Sequence, residues 1–547
     1  MTNELRIANG KVYDPANNID GEIRDICVKD GRIVDFVSDS ATVINAHGNV
    51  VMPGGVDIHC HIAGPKVNLA RKLQPEDHRL DPHPATEHTR SGTGGIVPST
   101  FATGYRYATL GYTTAFDAAV PPLAARHVLE ELHDTPVIDK GYYILLGNNI
   151  FLQNLIKEGR KEELKQAVAW WLNASKGYTC KLVNPGGDEP WKGKKNSNVK
   201  DIDEKSHEFE ISPRMIIDSF IDVANDLGLP HPPHVHCNNL GHSGNFETTL
   251  ETMKTAGDRR VHIAHIQFNS YAGELGKNPL SAGREIIEYI NDHPNISCDV
   301  GQVMFGKSTI MTADAPLAYM LKGYTHAKWV NVDTECESGC GIAPFSYQEN
   351  IYTHALQWAI GLEIFLLSKD PWRVVLSTDH PNGGSFMSYP KLIKLLMDKN
   401  FRDEEIKRVN QKAMAKTFIG ELDREYTLNE IAIITRAGPA KCLGLDNKGH
   451  LGVGADADIT IYDEQDDKEL MFNAPRYVIK SGHAVIADYE FTTDFYGKTL
   501  HSTQEYDPTI EDIIRPFFDD YYSIRFDNYA VSDAYLHDHE FIPMRKS

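Results

Sequence analysis

Short apolar runs alternate with longer amphipathic stretches through most of the chain, and this alternation predicts a repeating β/α pattern. Eight apolar runs predict strands that begin near Gly55, Gly111, Tyr142, Tyr178, Pro233, Val261, Ile296 and Val374. Stretches such as 161–174, 213–227 and 355–367 predict helices between them. For the seventh strand, the run 329–333 competes with the run 296–300. The economical interpretation is an α/β fold, a (β/α)8 barrel of the TIM type, with the active site at the carboxyl ends of the strands.

Both ends of the chain have a different pattern, in which short strand-like runs are separated by turns. Runs such as 25–28 near the start resemble 459–462 and 477–480 near the end. We therefore predict one small β-domain assembled from both chain ends. The last residues are acidic and aromatic, and we expect this extension to pack on a surface or to contact a partner. The predicted composite β-domain, barrel and C-terminal extension are residues 1–52 with 449–500, 53–448 and 501–547.

The composition is ordinary for a globular protein, with 547 residues, 41% hydrophobic and 24% charged. The balance of 55 Lys and Arg against 76 Asp and Glu gives a net charge of −21, which argues against a nucleic-acid or anionic-membrane binder. No apolar run is long enough for a membrane span, and the first residues lack the pattern of a signal peptide, so the expected location is the cytoplasm. The eight cysteines form no Cys-x-x-Cys pair, so any electron transfer would need a partner.

Paired histidines occur on the first predicted strand. Residues i and i+2 of a strand share a face, so Asp57, His59 and His61 are expected to project together. Two adjacent imidazoles suit a divalent metal ion. A lone His-x-His is a weak signal, which further ligands at other strand ends would strengthen.

The fourth predicted strand has one lysine, Lys181, in an otherwise uncharged run. One interpretation is a lysine that reaches solvent or an ion pair. The other is a buried neutral amine that takes up carbon dioxide, because the resulting carbamate bridges two metal ions as a carboxylate does.

Three later strands add further metal-binding residue types. The fifth has His234 and His236 on one face, and the eighth ends in Asp379. On the sixth, His262 and His265 are three residues apart, so only one is expected to point inward.

Together, these residues resemble the amidohydrolase superfamily, which has His-x-His on strand 1, lysine on strand 4, histidines on strands 5 and 6 and aspartate on strand 8. The resemblance implies a binuclear metal centre with a carboxylated lysine, whose ligands are His59, His61, Lys181, His236, His265 and Asp379. We expect His234, Asn238 and Asn239 to contact substrate, with packing as the alternative for His234.

A closer resemblance extends over nearly the whole chain. It rests on segments 51–59, 97–101, 103–108, 181–187, 236–241, 355–361 and 378–382. These segments resemble the A subunits of formylmethanofuran dehydrogenases, a type of chain that also occurs in the bacterial formyltransferase/hydrolase complex. Segments 299–306 and 337–341 are more similar to the bacterial form.

This resemblance implies a substrate with a formyl group on the primary amine of a furan-bearing C1 carrier, formylmethanofuran or a methanofuran-like compound. The expected reaction in one-carbon metabolism is hydrolysis to formate and free amine, or the reverse, beside the other subunits of either complex. Two divalent ions would polarise the carbonyl and acidify water, while Asp379 would accept the water's proton and return it to the amine. The ligands suit zinc, and iron or manganese would also bind. The choice of complex and the direction of the reaction stay open.

The implied carrier has a glutamate-rich tail, which needs a local cationic strip on so acidic a chain. Lys192, Lys194 and Lys195 could form this strip, although a solvated loop is an equal alternative. Another enzyme of the same scaffold, a cyclic-amide hydrolase of the dihydropyrimidinase or hydantoinase type, is the main alternative function. A metal-free scaffold subunit is less favoured, because all six ligand positions hold competent residues.

Overall fold

The computed structural model of the protein describes residues 4–187, 199, 201–206, 210–274, 278–312, 314–326, 328, 330–332 and 340–545. Its central sheet has eight parallel strands that follow one another in chain order. These strands are β1 Gly55–Cys60, β2 Tyr112–Val120, β3 Asp139–Leu145, β4 Thr179–Val183, β5 His234–His236, β6 Val261–Ile263, β7 Ile296–Asp299 and β8 Val374–Val375.

The eight strands close into a barrel. Each strand from β1 to β7 pairs in parallel with the next one. The segment after β8 returns to β1, where Cys60 bridges His380 and the His61 N–H donates to the His380 carbonyl at 2.8 Å. All eight predicted strands are therefore confirmed, and the third begins at Asp139 rather than at Tyr142.

The seventh strand is the run that begins at Ile296. It is paired on both sides, and Ile296 is fully buried, as expected for an inner strand of a parallel sheet. The described part of the competing run, Val330–Val332, pairs with Cys340–Tyr347 in an antiparallel sheet that Gly306–Thr312 completes. Shorter strand pairs are Pro82–His83 with Gly92–Thr93 and Tyr271–Ala272 with Leu280–Ser281.

Helices connect the strands and cover the barrel. The predicted stretch 213–227 is the helix Pro213–Asp226, which begins after Ser212 because the Ser212 side chain accepts from the Met215 N–H and proline suits the first turn. The described α-helices are Pro65–Leu73, Asp77–Leu80, Thr100–Thr109, Ala125–Asp134, Ile150–Lys157, Lys161–Ser175, Pro213–Asp226, Asn245–Ala256, Gly283–Asp292, Ala315–Thr325, Tyr352–Leu367, Tyr389–Met397, Lys399–Arg408, Gln411–Met414, Leu428–Ala432, Gly438–Leu443, Lys468–Asn473 and Glu511–Tyr521. Among the described residues, no helix is both long and apolar enough to cross a lipid bilayer.

Both chain ends contribute to a second sheet, as the sequence predicts. Its strands are Glu4–Asp14, Ile19–Lys29, Arg32–Val34, Thr42–Asn45, Val50–Pro53, Ile459–Tyr462, Tyr477–Lys480, His483–Ala487 and Glu490–Phe491. The two ends meet where Val50–Pro53 pairs antiparallel with Ile459–Tyr462. The proposed domain boundaries themselves stay a prediction.

The C-terminal residues lie against the barrel. Two further strands extend the central sheet beside β3. Thr499–Ser502 is joined to β3 by the pairing of Thr499 with Lys140, and His539–Ile542 pairs with Thr499–Ser502. In the aromatic extension, the rings of Phe526 and Tyr529 stack on Trp170.

Candidate metal centre

The six predicted ligands lie at the carboxyl edge of the barrel. All are at most 4% exposed: His59, His61, Lys181, His236, His265 and Asp379. The first four lie in or directly after β1, β4 and β5, while His265 and Asp379 lie in the turns that follow β6 and β8. The strand ends thus bring together residues that are far apart in sequence.

Asp379 lies between the two histidines of the first strand. Its Oδ1 atom is 3.0 Å from His59 Nε2 and 3.1 Å from His61 Nε2. A second close contact joins His236 Nδ1 to His265 Nε2 at 3.1 Å. The two groups are adjacent, because the ring centroids of His59 and His265 are 5.3 Å apart.

The donor atoms fit a divalent metal centre. Two donors on one tetrahedral zinc ion lie about 3.3 Å apart, because each bond is about 2.0–2.1 Å, and the three contacts above are close to that spacing. Among the described residues, the buried Lys181 Nζ atom has no hydrogen-bond partner. Buried polar atoms normally have a partner, so an unpaired nitrogen within a cluster of metal-ligand residue types fits a site that takes up a further group.

The Lys181 side chain is suited to react with carbon dioxide. Burial lowers the pKa of Lys181 to about 7, although the charges of Asp299 and Asp379 act in the opposite direction. A large fraction of this amine is therefore neutral near pH 7, and the neutral amine is the form that adds to carbon dioxide.

Asp379 and His59 each favour the charged form of the other. Burial raises the pKa of Asp379, but His59 and His265 outweigh this and keep it well below its usual range. Burial also lowers the pKa of His59, whereas Asp299 and Asp379 raise it, and the net shift is upward. The close pair of His59 Nε2 and Asp379 Oδ1 is thus stable with a cation between the atoms, either a proton or a metal ion.

The expectation that Asp57 projects with His59 and His61 is wrong. Asp57 accepts hydrogen bonds from Tyr107 and Tyr389, which lie on helices outside the barrel, at 2.8 and 2.6 Å. The pairing of β1 with β2 shifts register between Asp57 and Cys60, and such a β-bulge interrupts the alternation of faces.

The expectation that only one histidine of the sixth strand points inward is also wrong. His262 Nε2 contacts Asp299 Oδ1 at 3.2 Å inside the barrel, and His265 reaches His236. Regular alternation ends because β6 stops at Ile263 and His265 has a positive φ of 32°. Asn184, Asn239 and Asp379, which follow β4, β5 and β8, also have positive φ, the strained conformation often found at functional sites.

The residues that were predicted to contact substrate form contacts with other residues of the chain. Asn238 Nδ2 donates to Asn184 Oδ1 and the Pro185 carbonyl, and Asn239 Nδ2 donates to the Val199 carbonyl. His234 lies behind His59, with its Nε2 atom 3.0 Å from His59 Nδ1. Their contact with substrate stays a prediction. The three lysines predicted to hold the carrier tail, Lys192, Lys194 and Lys195, lie outside the described residues.

Asp299 is the main addition to the site that sequence reasoning missed. It ends β7, and its Oδ1 atom is 3.1 Å from His59 Nδ1. The Ser377 hydroxyl donates to Asp299 Oδ2 at 2.6 Å. The sequence does contain a signal for Asp299, because it is a carboxylate at the end of an apolar strand, the same pattern that singled out Asp379.

Lys66 and Asp117 lie next to His61 on the side away from Asp379. Lys66 Nζ donates to His61 Nδ1 at 3.0 Å, and Asp117 Oδ1 is 3.6 Å from both atoms. Lys66 and Asp117 thus surround the Nδ1 side of His61, while its Nε2 atom faces Asp379.

A cavity of about 940 Å³ opens onto the ligand cluster. His236 and Asp379 form part of its wall, and the helix Ala315–Thr325 and the strand Cys340–Tyr347 line the other side. Its aromatic side chains are Phe268, Tyr271, Tyr324, Phe345 and Tyr347. This size and aromatic lining are typical of a small-molecule site.

The barrel and the ligand cluster at its carboxyl edge agree with a match to a known protein family. Residues 42–486 match the amidohydrolase family, and the chain belongs to that family.

Two curated relatives and one solved structure match over nearly the whole chain. FwdA from Methanocaldococcus jannaschii is 46% identical, over 97% of this chain and 97% of its own length. The A subunit of the formyltransferase/hydrolase complex Fhc from Methylorubrum extorquens is 38% identical, over 97% of this chain and 96% of its own. The crystal structure of the FhcABCD complex from that organism, bound to methylofuran, has a chain with a TM-score of 0.93 and 36% identity, covering 99% of this chain and 100% of that one.

Proposed function

We propose that this chain is the hydrolase subunit of a complex that processes a formylated, methanofuran-like C1 carrier. It hydrolyses the N-formyl amide to formate and free amine, or catalyses the reverse reaction, with two divalent metal ions. The observation that carries this proposal is the buried cluster of six candidate ligands, in which Lys181 Nζ has no hydrogen-bond partner among the described residues. The similarity to FwdA and to the A subunit of Fhc supports the carrier as substrate.

The ligands in this proposal are His59, His61, carboxylated Lys181, His236, His265 and Asp379. When bound, the metal ions would polarise the formyl carbonyl and increase the acidity of water. Nitrogen and oxygen donors of this kind suit zinc.

The chain's own residues supply the proton transfer. Asp379 takes up the proton of the attacking water and then donates it to the amine as the C–N bond breaks. Its Oδ1 atom faces His59 and His61, whereas its Oδ2 atom has no hydrogen bond within the described parts of the chain and the residue borders the cavity. Oδ2 is thus the atom that we assign to this transfer.

Carboxylated Lys181 would help to hold the metal ions and would supply negative charge to the centre. Its neutral amine adds to carbon dioxide, forms an N–C bond and releases one proton, which leaves a carbamate with two oxygen donors. Burial favours this product at Lys181, because the amine is neutral near pH 7 and its nitrogen has no competing partner among the described residues.

The proposed partners are the other subunits of a formyltransferase/hydrolase or formylmethanofuran dehydrogenase complex. The Fhc structure, which contains methylofuran together with four kinds of subunit, supports an assembly of this type. The cavity next to Asp379 has room and aromatic surface for the furan-bearing end of a carrier.

Metal analysis of the purified full-length chain tests this proposal first. We expect about two metal ions per chain, as in other two-metal hydrolases, and a native mass that includes one carbon dioxide. Lys181→Ala should lose both the carbon dioxide and most of the metal. Lys140→Ala is the matched control, because Lys140 is also fully buried but donates to the Thr135 and Gly497 carbonyls away from the cluster.

A substrate comparison separates the alternatives. Formate release from N-formylfurfurylamine and from the formylated carrier, without turnover of dihydropyrimidines or hydantoins, is the expected result. Faster turnover of the cyclic amides would show instead that the chain is a cyclic-amide hydrolase. Protein that is purified without chelators and contains no metal, with Lys181 dispensable, would leave only the scaffold interpretation.

A further inference from the structure

A line of buried histidines runs through the barrel behind the candidate metal centre. His231 Nδ1 lies 2.8 Å from the Cys442 carbonyl, and His231 Nε2 lies 3.0 Å from His234 Nδ1. His234 Nε2 in turn lies 3.0 Å from His59 Nδ1. His231, His234 and His59 are each 0% exposed, and we call His231 and His234 the histidine column.

The hydrogen bonds of the column fix the tautomer of each ring. A carbonyl oxygen can only accept, so the Cys442 carbonyl requires the proton of His231 on Nδ1. The Nε2 atom of neutral His231 then accepts, which requires a proton on His234 Nδ1. By the same logic, His234 Nε2 accepts from His59 Nδ1. The charged forms of His231 and His234 are disfavoured, because burial without solvent contact penalises an unpaired charge.

The order of donors and acceptors along the column also determines which nitrogen of His59 carries the proton. A proton held on Nδ1 leaves Nε2, the atom that lies 3.0 Å from Asp379 Oδ1, as the nitrogen that shares a cation with that carboxylate. Asp299 acts in the same direction, because its Oδ1 atom is a second acceptor for the His59 Nδ1 proton at 3.1 Å. His262 and Ser377 each donate to the Asp299 carboxylate and hold it in place.

We propose that the histidine column is a positioning device that keeps the Nδ1–H of His59 directed into the column, so that Nε2 is the nitrogen available to an ion at the metal centre. His231 acts from a distance, because its described contacts are with His234, Cys442 and neighbouring rings rather than with a proposed ligand. This inference rests on the proposed metal-dependent function and assigns roles to residues that the function does not use.

Metal affinity of His231 variants tests the proposal. The measurement is Zn²⁺ binding to the full-length chain in bicarbonate buffer, by competition with a chromogenic chelator. His231→Phe keeps a ring but removes both hydrogen bonds, so His234 no longer has a fixed polarity. We expect zinc affinity to fall ~10-fold or more, the usual effect of losing a group that orients a metal ligand.

A conservative variant separates positioning from packing. His231→Gln retains an N–H donor for the Cys442 carbonyl and a carbonyl acceptor for His234 Nδ1, so zinc affinity should stay within about twofold of the wild type. His501→Phe is the matched control. His501 is also a buried histidine whose Nδ1 atom contacts a carbonyl, that of Lys176 at 2.6 Å, but it lies outside the column. Its loss should lower the melting temperature without changing zinc affinity.

The outcomes are distinguishable. Weak binding by His231→Phe, with normal binding by the other two variants, supports the column. Normal binding by His231→Phe, or equal loss in His231→Phe and His231→Gln, overturns it. Absence of zinc binding by the wild type would instead reject the proposed function itself.

Discussion

Asp379 combines two tasks in one side chain. Its Oδ1 atom also accepts from Asn382 Nδ2 at 3.0 Å, so the carboxylate is fixed in orientation. Asp379→Asn keeps the size and one acceptor but cannot take up a proton. We expect turnover of an N-formyl amine to fall ~10²–10⁴-fold, the usual contribution of a general base, while much of the bound metal remains.

Metal content and turnover of Asp379→Asn should be measured on the same preparation. Glu274→Gln, at an exposed carboxylate, is the control and should keep both. Full activity of metal-loaded Asp379→Asn would show that another group transfers the proton.

His59, Lys181 and Asp379 could be singled out from sequence, because each is a metal-binding or ionisable residue in or just after an apolar strand and the set resembles the amidohydrolase ligands. The structure brings them to one edge of the barrel. Asp299 carries the same signal, but it contributes to the sequence-based prediction only within segment 299–306 of the closer resemblance, without an assigned role. His231 precedes its strand and gives no signal at all, since its importance depends on a carbonyl 211 residues away.

At the level of elements, the apolar runs predicted the strands well, but local irregularities decided where side chains point. The β-bulge after Asp57 depends on how β1 pairs with β2, and the positive φ of His265 depends on the turn that follows β6. Both are set by tertiary contacts, so a strict two-residue period could not predict them.

Glu363 links three elements and should make stability depend on pH. It lies in the helix Tyr352–Leu367, is fully buried, and accepts from the Ser281 hydroxyl and the Phe418 N–H. Burial raises the pKa of Glu363 to about 7. A carboxyl with a raised pKa in the folded state stabilises the fold below its unfolded pKa of ~4.3, and this contribution is lost as the pH rises through about 7.

Glu363→Gln mimics the protonated acid at every pH. We expect its free energy of unfolding to match the wild type near pH 4 and to exceed it by about 2–4 kcal/mol near pH 8.5. Urea unfolding at both pH values measures this, with the exposed Glu288→Gln on a neighbouring helix as control. Equal stability of Glu363→Gln and wild type at the higher pH would contradict the prediction.

At the scale of the whole molecule, a buried network of charges joins the barrel to the composite sheet. Asp139 begins β3, and its Oδ2 atom lies 2.5 Å from Lys448 Nζ and 2.6 Å from Lys480 Nζ. The same lysines contact Asp458, at 3.2 and 2.8 Å. Lys448 also contacts Asp456 at 2.7 Å, so the ammonium groups occupy the position that a cation would take among the three carboxylates.

Asp139→Asn tests how strongly this network holds the two parts together. The asparagine would leave two buried ammonium groups facing an amide, and breaking one partner of a buried ion pair costs about 3–5 kcal/mol. Burial raises the pKa of Asp139, but Lys448 and Lys480 outweigh it and keep the pKa far below its usual range. The contribution of a carboxylate with a lowered pKa is present above its unfolded pKa of ~3.9 and is lost only as the pH falls through the folded value.

The deficit of Asp139→Asn should therefore be constant from pH 8 to about pH 5 and shrink only in stronger acid. Urea unfolding across this range measures it, with Asp466→Asn at an exposed position as the matched control. A deficit below about 1 kcal/mol at pH 7, the size of an exposed ion pair, would mean that contacts other than the charge network hold the sheet on the barrel.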